Sequence, residues 1–176
     1  MMKRYSVIIN FIVFQVAWFA VFFLNHQAVP VLLLVIGIMA MMSPDRKSDC
    51  MFVVCGLGVG LMIELIAAGT NVIKYVGGPI PVWLVLLWCT LLFSFRESMG
   101  KLFTLPLKIR VPLVWLGAPG SYYAGQQADL LITANPTLFF WLVYGGIWYC
   151  GFESLRWLNS HPKLKRKIGT DGVLGT

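Results

Sequence analysis

Six apolar stretches, separated by short polar breaks, constrain what this chain can fold into more than any other feature. They fall at about 5–24, 28–42, 49–70, 80–95, 109–128 and 136–158. Most approach the roughly 20 residues an α-helix needs to cross the ~30 Å hydrocarbon core of a bilayer. In hydrocarbon every backbone N–H and C=O must be paired internally, which leaves only helices or a closed barrel. A barrel would read as alternating segments of about ten residues, whereas these runs are continuous. The expected fold is an all-α polytopic membrane protein, a bundle of about six transmembrane helices. Composition agrees: of the 176 residues 59% are hydrophobic and 12% charged, against about 25% charged in a soluble domain.

The first stretch follows the basic Met1-Met2-Lys3-Arg4 in the manner of a signal sequence. Its apolar part is longer than the usual ~7–15 residues, and Asn25-His26-Gln27 is a poor cleavage site, so a retained helix is expected. The net charge of +7 has a topological explanation and needs no nucleic-acid partner. With six spans, both termini share one side with the loops at 43–49 and 96–110, and that side carries thirteen of the fourteen Lys and Arg residues; only Lys74 falls opposite. The positive-inside rule then puts the N and C termini in the cytoplasm of a bacterial inner membrane. A five-helix alternative would strand Arg156 and the Lys163, Lys165, Arg166, Lys167 cluster outside. The basic tail at 159–176 is expected to be disordered, with that cluster against anionic headgroups.

Chemical motifs are few. Cys50, Cys55, Cys89 and Cys150 form no C-x-x-C pair, and His26 and His161 are the only histidines, so no metal site is expected. The cysteines read as packing residues. No P-loop, dinucleotide, G-x-S-x-G or H-E-x-x-H fingerprint occurs, and no cofactor is expected.

The exception is Glu64, one carboxylate inside the apolar run at 50–71. An ionisable residue at such a depth is costly and marks a partner or a role. Helical rise puts it ~9 Å short of the outer end of its span. Tyr122, Tyr123 and Gln126 of the fifth stretch reach the same half, so a candidate polar pocket combines them with Glu64, with Lys74 above. Gly117-Ala118-Pro119-Gly120 reads as a break in the fifth helix, tolerable only where the backbone is buried or lines a cavity. Gly56 and Gly60, a G-x-x-x-G pair, are expected at a close helix contact, together with Gly117, Pro119 and Gly120. Two readings of Glu64 weigh equally. It is a proton carrier, general base or cation ligand, or it is structural, paired with Lys74 or a fifth-helix amide. Asn10 and Gln15 are expected to face other helices and find partners there. Arg96, Glu97, Glu153 and Arg156 read as interfacial anchors, with Glu153 and Arg156 spaced to pair.

Four segments carry a resemblance: NFIVFQVAWFA at 10–20, GLMIE at 60–64, PVWLVLLWCTLLFSFRES at 81–98 and LGAPGSYYAGQQAD at 116–129. In this order they resemble the DUF2878 family, small bacterial inner-membrane proteins of unknown function. The resemblance implies a bundle of this topology and a carboxylate at the Glu64 position, where relatives tend to carry Asp. It also implies a link to lipid metabolism through genes lying beside those of relatives, and it brings no established activity. The expected function is therefore an accessory or binding protein associated with membrane lipid. One alternative is a membrane-embedded lipid-modifying enzyme using Glu64, with Tyr122 or Tyr123 as orienting groups. The other is a small transporter with its site at Glu64 and the broken fifth helix. Expected partners are membrane lipid and a second copy of the chain or another membrane protein.

Overall fold

The computed structural model describes residues 2–164 and 166, the side chains of residues 2–5 excepted. Six α-helices make up most of it: α1 (Met2–Leu24), α2 (Val29–Met42), α3 (Arg46–Gly69), α4 (Val82–Arg96), α5 (Leu107–Gln127) and α6 (Thr137–Ser160). Short 3-10 turns at Asn25–Ala28, Gly100–Thr104 and Pro162–Leu164 join or follow them. Strands β1 (Ile73–Tyr75) and β2 (Leu131–Thr133) pair antiparallel, with Ile73 opposite Thr133 and Tyr75 opposite Leu131.

Local chemistry explains the element ends. The Asp45 side chain caps α3 by accepting from the Ser48 N–H at 3.1 Å, which satisfies one of the orphan donors of the first turn. Helices α3 and α5 stop in the same way. Val72 N–H bonds back to Ala67 O and Asn71 N–H to Ala68 O; Leu130 N–H bonds to Gly125 O and Asp129 N–H to Gln126 O. These are Schellman turns, with Asn71 (φ 56°) and Asp129 (φ 56°) in the left-handed position, which Asn and Asp tolerate better than most residues. Each turn releases the chain into a strand, and the two strands pair over one end of the bundle.

Helix α5 runs unbroken through Pro112 and Pro119, against the expected interruption at Gly117–Gly120. A proline inside a helix frees the carbonyl four residues back, here that of Trp115. That carbonyl is accommodated against Gly145 of α6, where an added Cβ would stand 2.8 Å from it. The Ser121 hydroxyl donates to Gly117 O at 3.0 Å and reinforces the same turn.

Helix α4 packs on α1, α2 and α3; α3 packs on α6, and α6 on α5. Glycines permit the closest approaches. A Cβ on Gly56 would come within 2.7 Å of Leu92, and one on Gly60 within 2.6 Å of Trp88. Gly117 differs from its expected packing role, since nothing lies within 4 Å of its Cβ position, and Gly120 meets only Trp141 at 3.6 Å. Helix α5 packs chiefly on α6 and β2, and a gap opens between it and α1 and α4.

Two helical segments, Ser6–Met42 and Arg46–Gly69, are long and apolar enough to cross a membrane. Only 22% and 39% of their apolar windows are buried, so most of each apolar stretch faces outward. Large side chains such as Ile12, Phe23, Leu34, Val54 and Met62 lie exposed along them. Cys50, Cys55 and Cys150 are exposed as well, outside the packed interior expected for them, because they fall on helix faces that no other helix covers.

Residues 160–164 depart from the disorder read from the composition of the tail. Helix α6 continues to Ser160, the turn Pro162–Leu164 follows, and Leu164 is buried against the bundle. Residues 165 and 167–176 lie outside the described residues.

Candidate functional site

Glu64 is fully buried in α3, at 0% exposure, under the β1–β2 ribbon. Its Oε1 accepts hydrogen bonds from Trp88 Nε1 at 2.8 Å and from the Tyr122 hydroxyl; its Oε2 accepts from the Tyr75 hydroxyl. The Tyr144 hydroxyl lies 3.4 and 3.3 Å from the two oxygens and itself accepts from Trp148 Nε1 at 2.9 Å. A carboxylate offers about four acceptor sites, and this one meets four donors, all aromatic and all neutral.

Each donor arrives for a local reason. Glu64 follows Gly60 by one turn, and the missing Cβ there admits the Trp88 ring that reaches the carboxylate. In β1 alternate residues face opposite sides, so Ile73 and Tyr75 are buried while Lys74 between them is exposed. Tyr144 and Trp148 stand one turn apart on α6 and share its inner face. Trp88 and Trp148 stack with centroids 4.8 Å apart, and Tyr122 meets Tyr144 edge to face at 4.8 Å, so the rings that donate also hold one another in place.

Of the residues singled out in the sequence, Tyr122 reaches Glu64 and three do not. Tyr123 is 38% exposed, since one residue of helix turns it ~100° away. The Gln126 side chain accepts from the Thr133 N–H and hydroxyl, both at 2.7 Å, tying α5 to β2. Lys74 points outward, and among the described residues Glu64 is in no ion pair. Tyr75, Trp88, Tyr144 and Trp148 went unnoticed. The Ile-Lys-Tyr alternation and the i,i+4 spacing of Tyr144 and Trp148 were legible signals; the position of Trp88 beside Gly60 was not.

Beside this cluster, in the gap left by α5, lies a cavity of about 440 Å³ walled by α1, α4, α5 and α6. Phe14, Leu91, Phe95, Val114 and Phe152 give it apolar sides, and Trp88, Tyr122 and Trp148 form the wall on the Glu64 side. The carboxylate is therefore about one aromatic ring away from the cavity. Gln15 also lines it. Asn10 accepts from the Ser98 hydroxyl at 2.6 Å, but Gln15 has no such partner among the described residues, contrary to expectation, because its turn of α1 faces the gap.

The opposite end of the bundle is built from charge. Asp49 accepts from Arg96 Nε at 2.8 Å, Arg166 Nη2 at 2.6 Å and Ser43 Oγ at 2.7 Å. Arg96 also donates to Ser48 Oγ and Leu164 O, both at 2.9 Å, and covers the Phe52 ring. Arg166 reaches on to Glu97 at 2.8 Å. Burial weighs against its charge, but Asp49 and Glu97 outweigh it and raise the guanidinium above its ordinary pKa. Glu153 pairs with Arg156 at 2.7 Å as its spacing implies, and also with Arg110 at 2.7 Å. The Arg96 side chain turns inward rather than extending to an interface, only 5% of it being exposed. Among the described residues no three His, Cys, Asp or Glu side chains gather as a metal site would require.

Fold and site together define a helical protein with membrane-competent helices, a buried carboxylate held by aromatic donors, and an apolar cavity against it. The chain belongs to the DUF2878 family, described as proteins of unknown function, whose profile matches residues 7–153. That span contains every member of the Glu64 cluster and all the cavity walls; Leu164 and Arg166 lie past it. Comparison with curated proteins and with solved structures gives no match.

Proposed function

We propose that this protein is a multi-pass bacterial inner-membrane protein of six spans, with both termini cytoplasmic, that holds a membrane lipid as an accessory or binding protein. The observation that carries the lipid reading is the 440 Å³ apolar cavity. Its volume falls in the ~300–1,000 Å³ range of small-molecule sites. It lies in the gap between α5 and helices α1 and α4, so a hydrocarbon chain can enter sideways from the bilayer. The six-span topology rests on thirteen of fourteen basic residues sharing one side and on the exposed apolar flanks of the helices.

The enzyme reading has less support. Four protein donors fill the acceptor sites of Glu64, leaving it poorly placed to take a substrate proton. The transporter reading assumed an interrupted fifth helix, and α5 is continuous. The test is native mass spectrometry of protein purified in mild detergent. One lipid is expected to remain bound per chain, and Gly117→Phe, which fills the cavity from an unobstructed position, is expected to expel it. Wild type that emerges free of lipid, or a variant that keeps it, ends the reading.

A further inference from the structure

The cavity is elongated, and its two ends differ. Its α4 wall runs from Leu84 to Phe95 and on to Met99 and Leu102 past the helix end. Leu84 and Phe95 are eleven residues apart, ~16 Å along the helix, which is about half of the ~30 Å hydrocarbon core and so the depth of one leaflet. At the Leu84 end the space goes on under the ribbon: Leu84, Ser121 and Tyr122 also line a smaller space of about 60 Å³. Trp83, Leu130 and Leu131, all buried, line that space as well. The polar groups there are already occupied, since Tyr122 donates to Glu64 and Ser121 to Gly117 O. At the opposite end Met99 and Leu102 are half-exposed. Gln15 lines both the cavity and an open apolar groove along α1, so it stands on the rim between the interior and the outer surface.

Charge distinguishes the ends further. No Lys, Arg, His, Asp or Glu lines the cavity, and burying an ionised group without a partner is strongly unfavourable, so a charged headgroup must stay outside while its chain goes in. Lys101 is exposed and stands in sequence between the wall residues Met99 and Leu102. The nearby acids Glu97 and Glu153 already face guanidinium groups, whereas Lys101 is in no ion pair among the described residues. Its long stem lets the ammonium reach along a surface of this kind. At the ribbon end the residue next to the wall is an acid: exposed Asp129 precedes Leu130. Lys74 is also at that end, but on the outward face of its strand. An anionic headgroup is thus attracted to one end and repelled from the other.

We propose that the cavity takes one acyl chain of an anionic phospholipid from the leaflet on the basic side, its headgroup outside at Lys101 and its chain end under the ribbon by Leu84. This rests on the lipid-binding reading above and adds the charge, leaflet and direction of its ligand. Lys101 selects the headgroup, and the length of wall from Phe95 to Leu84 accommodates the chain.

The test uses the full chain in phosphatidylcholine nanodiscs doped with a photoactivatable phosphatidylglycerol or phosphatidylcholine. The diazirine is placed either at the acyl chain end or beside the carbonyl, and labelled residues are located by peptide mass spectrometry. Gly117→Phe sets the baseline of labelling from outside the cavity. In wild type the chain-end probe should label Leu84 and Leu87, and the carbonyl-side probe Met99 and Leu102. Phosphatidylglycerol should label about fivefold more than phosphatidylcholine, the scale of one lysine near an anionic lipid surface. Lys101→Ala, a change at an exposed residue, should bring phosphatidylglycerol down to the phosphatidylcholine level and leave phosphatidylcholine unchanged. Equal labelling by the two lipids in wild type, or a preference that survives Lys101→Ala, overturns the headgroup assignment and leaves lipid binding standing. A reversed pattern, with the chain end at Met99 and the carbonyl at Leu84, overturns the direction. Labelling no greater than in Gly117→Phe with every probe removes the lipid-binding reading, and this inference with it.

Discussion

Helix α3 carries two buried carboxylates, and the protein treats them in opposite ways. Asp49 and Glu64 are fifteen residues apart in the sequence, ~22 Å along the helix, and are 1% and 0% exposed. Asp49 is neutralised by two guanidinium groups, from α4 and from the chain beyond α6. Glu64 meets no cation among the described residues, only hydroxyl and indole donors from β1, α4, α5 and α6. The difference follows from supply. Among the described residues Lys and Arg crowd one end of the bundle, while at the other the single candidate, Lys74, sits on the outward face of a strand. A carboxylate buried there must be stabilised by dipoles. Arginine pairs fasten one set of helix ends together, whereas at Glu64 four neutral aromatic donors join the helices with no cation among the described residues.

The largest effect is expected from Asp49→Ala. Removing one partner of a buried ion pair leaves the others uncompensated, which costs about 3–5 kcal/mol. Thermal unfolding in detergent should show it, and a midpoint within a degree or two of wild type would mean that the charged end holds little together. Glu64→Gln should cost less, about 1–3 kcal/mol, because Trp88 Nε1 and at least one tyrosine keep an acceptor and no charge is stranded. A loss as large as that of Asp49→Ala would erase the contrast between the two sites.

Gly60→Ala falls near the Glu64 change in size. Its Cβ would press on the Trp88 ring at 2.6 Å, and overpacking of this kind costs about 1–3 kcal/mol. It should also shift the Trp88 indole, so near-ultraviolet circular dichroism should change; an unchanged spectrum would separate Gly60 from the carboxylate cluster. Arg166→Ala should be milder, because the side chain is 25% exposed and Arg96 remains on Asp49. Raised salt should mimic part of its effect and leave Glu64→Gln unaffected, as screening weakens exposed pairs more than buried contacts. Lys74→Ala should change nothing measurable in the unfolding midpoint, since the side chain is exposed and lies outside the ion pairs of the described residues. A clear loss would revive a Glu64–Lys74 pair.

Much of the helix layout was legible, because an apolar run of bilayer length has few other ways to satisfy its backbone. The polar breaks at Ser43-Pro44 and Pro81 fall where helices end or begin, for the steric reasons that make proline a boundary. The fifth helix misled for an instructive reason. Pro119 argues for a break only while the freed Trp115 carbonyl has nowhere to go, and Gly145 on another helix gives it room. The site was half legible. Tyr122 was within reach of Glu64 by helical depth, but depth cannot tell it from Tyr123, one residue and ~100° away.

By itself the sequence determined that the chain is helical and apolar enough for a membrane, that Glu64 is the residue needing explanation, and that basic charge collects on one side. These follow from composition and spacing, which act along the chain. Only the tertiary structure decided which side chains surround the carboxylate and that α5 stands apart far enough to leave a cavity. Those outcomes depend on helix rotation and on contacts between residues such as Glu64, Trp88 and Tyr144, up to 80 positions apart, for which no local pattern in the chain is a guide.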